Sequence, residues 1–567
     1  MSYRKVVWAL MILMSGVIPS AQTQAPAPQT QPAAPPRAGI FGGYKPPELA
    51  DLGARRQDTL ESRVRDGKIE LSETDVVRLA LENNVDIQVE RYAPYYNLWS
   101  IEKSRGILNP SLSFSTTTND KLDPTTSVLA GGDSLLSVTS DYDVTFRKPF
   151  KTGLDFSAGF TEERLRSSNT FYTFNPSFTS GFSVNFTQHL LKDFGSISRG
   201  HYLQVSQLNR DISEEDFATR VSDVVKNVLD TYWDLVFQTQ DIRVKEEGLN
   251  YARVVLEQNR AQLDAGALTQ LDVTQAEAEV ASRQEDVVTA RYARRVSEAL
   301  LKKLISSRPD PGLITAEITA TSQPAATPRA AAVDLAQAIQ RAQETAPEVR
   351  RALIDLESRK IDIEFTRNQL RPSLDLSAGY SQSGLGGTKI TRDYNTPGGL
   401  LNAPIVSEAP GALGDSLGSL FRARYTGFYA TINFRVVMDN DDARATNAQA
   451  RITLAQAEER LRGTRQNIAY QVREAAERIE RDRARIQSAE VTVRFDEQRL
   501  AGEQEKVSQG ESTTRFVLES QRDLEDARSR LARARSDAMK AQLAFDRQVG
   551  DLLSSQGIQV KQQLPLK

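Results

Sequence analysis

The sequence of 567 residues contains no cysteine and only two histidines. The absence of cysteine excludes disulfides, thiol catalysis, thiolate metal sites and a lipid-modified N-terminal cysteine. His189 and His201 do not have a metal-binding spacing, and the sequence contains no HExxH, GxGxxG, P-loop or GxSxG motif. The sequence therefore predicts neither an enzyme nor a bound cofactor or metal.

Long apolar runs and an excess of basic charge are also missing. Beyond the N-terminal region no segment has about 18 consecutive apolar residues, so we expect no transmembrane helix. The net charge is −3, and no basic run with interleaved aromatic residues occurs. Nucleic acid is therefore not an expected partner.

The N-terminal region indicates export from the cytoplasm. A positive stretch, "MSYRK", precedes the apolar run "VVWALMILMSGVI", and small residues for cleavage lie near Ala21. This arrangement is typical of a secretory signal peptide, which we place at residues 1–21. Residues 22–57 are rich in proline, glutamine and alanine and are predicted to form an extended linker.

The chain repeats itself. Residues 71–115 align with residues 333–377 at an offset of 262, which places Pro110 on Pro372. A second alignment places Gly266 on Gly510 at an offset of 244. We therefore predict two similar halves that each begin with a short helix and a longer helix and reach their strands after Leu-x-Pro. The predicted boundaries are 58–305 for the first half, 306–332 for a linker, 333–553 for the second half and 554–567 for a tail.

The segments after each proline alternate with period two. Phe182, Val184 and Phe186 share one face of "FSVNFTQ", and the residues between them are small and polar. This pattern is typical of a sandwich strand, or of a membrane-barrel strand with its apolar face toward lipid, which the signal peptide favours. The candidate strands are 111–117, 141–149, 153–161, 180–188, 373–381 and 427–436.

Six strands are too few for one chain to close a membrane barrel, which needs at least about eight. An open sheet edge is not tolerated in lipid. The sequence therefore predicts that several chains contribute strands to one barrel.

Most of the remaining residues are predicted to be helical. Residues 198–264 contain no proline and could form a helix about 100 Å long, far longer than the bilayer core of about 30 Å. A second helical run follows Gly266, and the second half repeats the design around Gly510. Glycine accepts the left-handed conformation that ends a helix, so these glycines mark the tips of antiparallel hairpins. An inert coiled-coil spacer remains the alternative interpretation of such helices.

From about residue 70 to 553 the chain resembles the TolC-like outer-membrane efflux protein family, also called outer membrane factors. The resemblance rests on the two halves, the strand-to-helix exits "FTQHLLKDFG" and "FRVVMDNDDA", and the glycine tips followed by "LDVTQAEAEV" and "FVLESQRDL". It implies a mixed fold with two internal repeats, in which a homotrimer shares a membrane β-barrel and a long α-helical coiled-coil barrel. The family usually has four strands per chain, so the hairpin around residues 150–153 would be either additional strands or an elaborated loop.

The resemblance also implies a function and partners. The protein would be a passive export duct of a tripartite efflux or type I secretion system, located in the outer membrane with a large periplasmic part. A periplasmic adaptor (membrane fusion protein) and an inner-membrane pump would dock on it, and the tips at Gly266 and Gly510 would contact the adaptor. The sequence does not indicate the cargo.

The family closes its channel near the tips, which suggests gate candidates here. Asp272 matches an acidic latch residue, while Ser512 and Val507 stand where well-known members have a latch arginine and a latch tyrosine. Phe516 and Glu519 stand at the positions of two ring aspartates. The polar latch is therefore altered, and Asp272, Phe516 and Glu519 are the gate candidates. Phe516 would form an apolar ring and Glu519 an acidic one; packing of Phe516 between helices is an equally valid interpretation.

The competing function is a periplasmic adaptor or a structural coiled-coil protein without a barrel. An adaptor is usually built around one hairpin and a lipoyl-like β-domain, whereas this chain has two hairpins and strands with small polar faces. The sequence therefore favours the duct. The glycine-rich "GLGG" at residues 384–387 is expected to lie in a loop and is a weak signal.

Overall fold

The computed structural model of the protein describes Pro46 and residues 60–126, 132–308, 311–324, 334–395 and 403–558. The predicted signal peptide, nearly all of the predicted N-terminal linker and the end of the predicted tail lie outside the described residues. The fold below belongs to the unit of residues 52–560. Within the described ranges, no helix is both long enough and apolar enough to cross a membrane.

The strands form one small parallel sheet and one large antiparallel sheet. They are β1 (Lys68–Leu71), β2 (Ser111–Pro124), β3 (Ser134–Pro149), β4 (Leu154–Ser167), β5 (Phe174–His189), β6 (Glu317–Ala320), β7 (Ser373–Arg392), β8 (Ile405–Ala409) and β9 (Tyr425–Arg435). β1 pairs with β6. The large sheet has the order β2-β3-β4-β5-β7-β9, and β8 pairs with the last residues of β7.

The helices are of very unequal length. They are α1 (Glu73–Asn83), α2 (Val85–Arg105), α3 (Ile197–Asp264), α4 (Gln270–Ile305), α5 (Pro311–Thr315), α6 (Leu335–Thr345), α7 (Pro347–Gln369), α8 (Leu413–Phe421), α9 (Asp441–Ser508), α10 (Thr514–Val549) and α11 (Leu552–Ser555). Single 3₁₀ turns occur at Leu60–Arg63 and Gly106–Leu108.

The structure confirms the six predicted strands and extends most of them. The hairpin that turns at residues 150–153 does not form an elaborated loop. Its two strands, β3 and β4, join the large sheet between β2 and β5. One chain therefore contributes six long strands to this sheet.

The large sheet has two chemically different faces. Residues directly opposite each other on neighbouring strands share a face. Phe156 lies opposite Phe186, with ring centroids 5.1 Å apart, and Phe160 lies opposite Phe182. The alternate residues of the same strands are mostly serine, threonine, glycine or asparagine. The predicted alternation of an apolar face and a small polar face is therefore present across the paired strands.

The long helices have matching bounds in the two halves. The offset of 244 maps both ends of α3 and α4 onto those of α9 and α10, and the offset of 262 maps both ends of α1 onto those of α6. β2 and β7 begin directly after Pro110 and Pro372. The predicted helix at residues 198–264 is confirmed, and α3 packs on α4 as α9 packs on α10.

The largest cluster of buried residues lies where α1 and the end of α4 pack on the middle of α3. Tyr232 and Trp233 of α3 are almost fully buried there. The Tyr232 hydroxyl donates to the Leu71 carbonyl at 3.1 Å and accepts from the Ser322 amide at 3.1 Å. The stretch between the halves therefore contains structure that the sequence does not reveal, because α5 and β6 close over this cluster.

Candidate functional site

Both hairpin tips end their first helix in the same way. The Gly266 amide donates to the Leu263 carbonyl at 2.8 Å and the Ala267 amide to the Gln262 carbonyl at 2.8 Å. Gly510 and the residue after it make the equivalent two bonds. This is a Schellman motif, which requires a left-handed residue, and Gly266 and Gly510 have φ angles of 73° and 77°. The predicted glycine turns are confirmed.

Asp272 caps the helix that leaves the first tip. It is the third residue of α4, and its carboxylate accepts hydrogen bonds from the Thr269 hydroxyl at 2.6 Å and the Thr269 amide at 3.0 Å. This is a capping box, with aspartate in the usual place of glutamate or glutamine. The two hydrogen bonds lower the pKa of Asp272. The carboxylate is therefore already engaged within its own helix.

Phe516 occupies the equivalent position of the second tip. It is the third residue of α10, and its amide donates to the Thr513 carbonyl as the Asp272 amide donates to that of Thr269. A phenyl ring cannot complete a capping box, so this helix lacks the bonds that Asp272 makes. The side chain of Phe516 is 53% exposed.

Phe516 and Glu519 point away from their own hairpin. Both are exposed, whereas Val517 and Ser520, the residues that directly follow them, are buried. The two exposed residues lie three positions apart and so share one helix face. Within this chain, Phe516 does not fill the interface between helices.

The other two positions of the altered latch make only local contacts. The Ser512 hydroxyl donates to a Glu503 carboxylate oxygen at 2.8 Å, and Lys506 pairs with Glu503 at 2.8 Å. The hydrogen bonds from Lys506 and Ser512 lower the pKa of Glu503. Val507 is half-buried in the last turn of α9. This tip is thus held together by hydrogen bonds within its own hairpin.

A buried group of charges joins the two hairpins farther from the tips. Arg283 of α4 pairs with Glu525 of α10 at 2.5 Å and with Glu279 at 2.7 Å, and Lys245 of α3 lies 3.4 Å from Glu525. The Arg283 and Glu525 side chains are 4% and 1% exposed. A Cβ at Gly248 would overlap the Glu525 carboxylate. Sequence reasoning missed this group, although an isolated glycine in so long a helix signals a close approach of another group.

The two histidines stabilise the junction between strands and helices. His189 Nδ1 lies 2.6 Å from an Asp375 oxygen, and His201 Nε2 lies 2.8 Å from an Asp362 oxygen. Arg199 binds both oxygens of Asp155 next to His189. Among the described residues, no group of three or more histidine, cysteine, aspartate or glutamate side chains is placed to hold a metal ion.

Comparisons with known proteins connect this architecture to a family. The sequence matches the family model described as outer membrane efflux protein over residues 142–307 and 338–551. A comparison with curated protein sequences gave no match.

Several solved structures have a similar fold. The outer-membrane channel OprN has a TM-score of 0.60 at 14% identity, covering 84% of this chain and 90% of OprN. The CmeC outer membrane channel of Campylobacter jejuni has 0.57 at 15%, covering 85% and 86%. The open state of the MtrE outer membrane channel of Neisseria gonorrhoeae has 0.53 at 15%, covering 85% and 89%.

The family match spans both hairpins and most of the large sheet, so it covers well over half of the chain. It favours a channel over the competing adaptor or structural coiled-coil protein. The chain belongs to the outer membrane efflux protein family, and it is an outer-membrane channel of an efflux system.

Proposed function

We propose that this protein is the passive outer-membrane duct of a tripartite export system, operating with a periplasmic adaptor and an inner-membrane pump. The observation that supports this most directly is the two-faced sheet, whose strands β5 and β9 lead into the 68-residue helices α3 and α9. A barrel with a polar interior and a long helical passage would form one continuous route for cargo.

The duct is a homotrimer in this proposal. β2 and β9 are the edges of the large sheet, and nearly all their residues are exposed. Three copies of six strands would give about 18 strands, a number at which barrels enclose an aqueous channel. In the trimer, the N–H and C=O groups of both edge strands would be hydrogen-bonded to neighbouring chains, as every backbone group in lipid must be.

The two halves act as structural repeats that each contribute one long hairpin to the helical passage. The matching bounds of α3 with α9 and of α4 with α10 support this view. The domain boundaries predicted from the sequence follow from the same repeat.

The adaptor docks at the two tips. Space around Gly266 and Gly510 is open, since an added Cβ at either position would meet no atom within 4 Å. The turns are therefore accessible to a partner. Replacing either glycine with valine should reduce adaptor crosslinking and export while trimers persist, because a β-branched residue resists the left-handed conformation.

The gate lies at the second tip. Three Phe516 side chains around the trimer axis would form an apolar ring, with three Glu519 carboxylates one helical turn farther from the tip. Two observations support a role for Phe516 outside its own hairpin. Its side chain is exposed, and it replaces in α10 the acid that caps α4 at the equivalent position. Asp272, which caps its own helix, is the next candidate.

Single-channel recording tests the gate. Phe516→Ala should raise conductance in planar bilayers, because a smaller ring admits water. Glu519→Gln should reduce cation preference by removing the ring charge. Val517→Ala is the control: Val517 is buried beside Phe516, so its truncation should lower hairpin stability and leave conductance unchanged. Equal effects of Phe516→Ala and Val517→Ala would place the gate elsewhere.

A further inference from the structure

The loop between β8 and β9 places a short helix on the apolar face of the large sheet. α8 packs on β7 and β5 near the strand ends that lie away from the long helices. Its two buried residues, Ser416 and Leu420, contact Ser180 and Gln382. Both Ser180 and Gln382 belong to the same face as Phe182. Ser180 lies two residues before Phe182 on β5, and Gln382 of β7 pairs directly with Phe182.

The part of the sheet beneath α8 is polar. Glu162 is only 7% exposed, although it lies two residues after Phe160 on the apolar face. It accepts a hydrogen bond from the Ser180 hydroxyl, and the hydroxyl oxygens of Ser180 and Ser416 are 2.7 Å apart. A carboxyl group turned toward lipid is costly. α8 covers this group and contributes to its hydrogen bonding.

One flank of α8 is apolar. Leu413, Leu417 and Phe421 follow each other at a spacing of four residues, so they share one side of the helix. Leu413 is 41% exposed and Phe421 is 82% exposed. Leu420, seven residues after Leu413 and on nearly the same side of the helix, is buried on the sheet, so this apolar flank borders the packed side of α8 and leaves Leu413 and Phe421 exposed. Exposed apolar groups are unfavourable in water and suit the boundary of a bilayer.

Cationic and aromatic groups continue this surface. Arg422 and Arg424 are exposed just after α8, and the Arg424 guanidinium lies 5.8 Å from the centroid of the Tyr425 ring. Arginine keeps its charged end at the level of headgroups while its stem lies along apolar surface, and tyrosine is enriched at the same level. Both are suited to a lipid surface that carries phosphate groups.

The glycine-rich segment "GLGG" allows α8 to approach the sheet. A Cβ at Gly384 or Gly386 would overlap the backbone of Ser416. Side chains at these positions would lift the helix and uncover Glu162. The expectation that this segment is a loop is wrong: it lies in β7 and forms the surface on which α8 packs.

We propose that α8 is a membrane-interface helix at the outer rim of the barrel. Its stripe of Leu413, Leu417 and Phe421 lies among the acyl chains near the headgroups, and Arg422 and Arg424 reach the phosphates. In this position α8 shields Glu162 from lipid. The inference rests on the proposed orientation of the sheet, in which the apolar face meets the membrane.

Spin labelling tests this directly, because the chain has no native cysteine. Nitroxide-labelled Phe421→Cys is measured in vesicles of phosphatidylcholine and phosphatidylglycerol with oxygen and a water-soluble nickel chelate as relaxants. Phe428→Cys, on the apolar face and 80% exposed, is the lipid reference. Ser383→Cys, on the polar face, is the water reference. We expect Phe421→Cys to show the several-fold preference for oxygen seen at Phe428→Cys.

A label at position 421 that behaves like Ser383→Cys, with Phe428→Cys in lipid, would overturn the proposal while leaving the sheet orientation intact. Chelate access at Phe428→Cys would instead refute the orientation, and the proposal with it. Gly384→Ala should increase label mobility at position 421 by displacing α8, whereas Gly414→Ala, which points into open space, should not. Equal mobility of the label in both variants would contradict the packing of α8 on Gly384.

Discussion

At the scale of single residues, the buried pair of Arg283 and Glu525 constrains how the two hairpins of the chain can move against each other. Two charges removed from water are tolerated only when they are paired and hydrogen-bonded. Glu279 and Lys245 complete that pairing. The group therefore fixes α10 against α3 and α4 at one level, while the tips beyond it are joined by no comparable buried pair in the described residues.

Removing one partner should be far more damaging than removing both. Arg283→Met should lower the free energy of unfolding by about 3–5 kcal/mol, because it leaves the Glu525 charge buried without its main partner. Adding Glu525→Gln should restore part of that loss. Arg291 of the same helix pairs with Glu246 at 2.5 Å on the exposed surface, so Arg291→Met should cost less than about 1 kcal/mol. Chemical denaturation followed by circular dichroism measures all three; equal losses in both single variants would refute the argument.

The individual roles at the tips could be predicted only in part. The resemblance to the family, carried over by position from the two glycines, makes Asp272 and Phe516 gate candidates. The offset of 244 places Asp272 on Phe516, but it does not reveal that the first residue caps its helix and the second cannot. Whether Phe516 packs inside its hairpin depends on side-chain directions that sequence spacing leaves open, and the structure places it outside.

At the scale of elements, the sequence predicts the long helices well and the rim of the sheet poorly. Residues 198–264 lack proline and carry a helical pattern, so the helix follows from local preferences. The strands extend beyond their predicted ends. Residues such as Asp120 and Glu163 do not follow the apolar alternation, so the sequence pattern misses them, whereas pairing with a neighbouring strand holds them in the sheet. α8 escaped notice because it has only nine residues and lies in the connection between two strands.

The tip glycines have a conformational role that can be separated from helix propensity. Gly510→Ala should destabilise the second hairpin by about 1–2 kcal/mol, since alanine resists the left-handed conformation. Gly502 lies eight residues earlier in α9 with open space around it. Gly502→Ala should stabilise the helix by up to about 1 kcal/mol. Hydrogen exchange of the tip amides compares the two; protection that falls equally in both variants would contradict the role assigned to Gly510.

At the scale of the whole molecule, the edges of the large sheet favour the proposed assembly and also supply the strands that would join neighbouring chains. The large sheet ends in two edges whose N–H and C=O groups have no partner strand within the described residues. β2 runs away from the helices and β9 returns toward them, so β2 of one protomer and β9 of the next would meet antiparallel. The sequence predicts this sharing from the strand count, although it cannot give the register, which depends on how the sheets of the proposed trimer would close together.

Cysteine crosslinking of the two edges tests the assembly. Ser113, Ser115 and Thr117 lie on the polar face of β2, and each is replaced by cysteine in combination with Thr431→Cys on the polar face of β9. A disulfide requires Cα atoms about 4.4–6.8 Å apart, so one or two of the three pairs should link neighbouring chains. Covalent dimers and trimers should then appear on a non-reducing gel and disappear on reduction. Ser157→Cys with Thr431→Cys is the control, because β4 lies inside the sheet and should give no crosslinked species. Conducting channels that crosslink at none of the three pairs would refute the shared barrel with β2 and β9 as its joined edges.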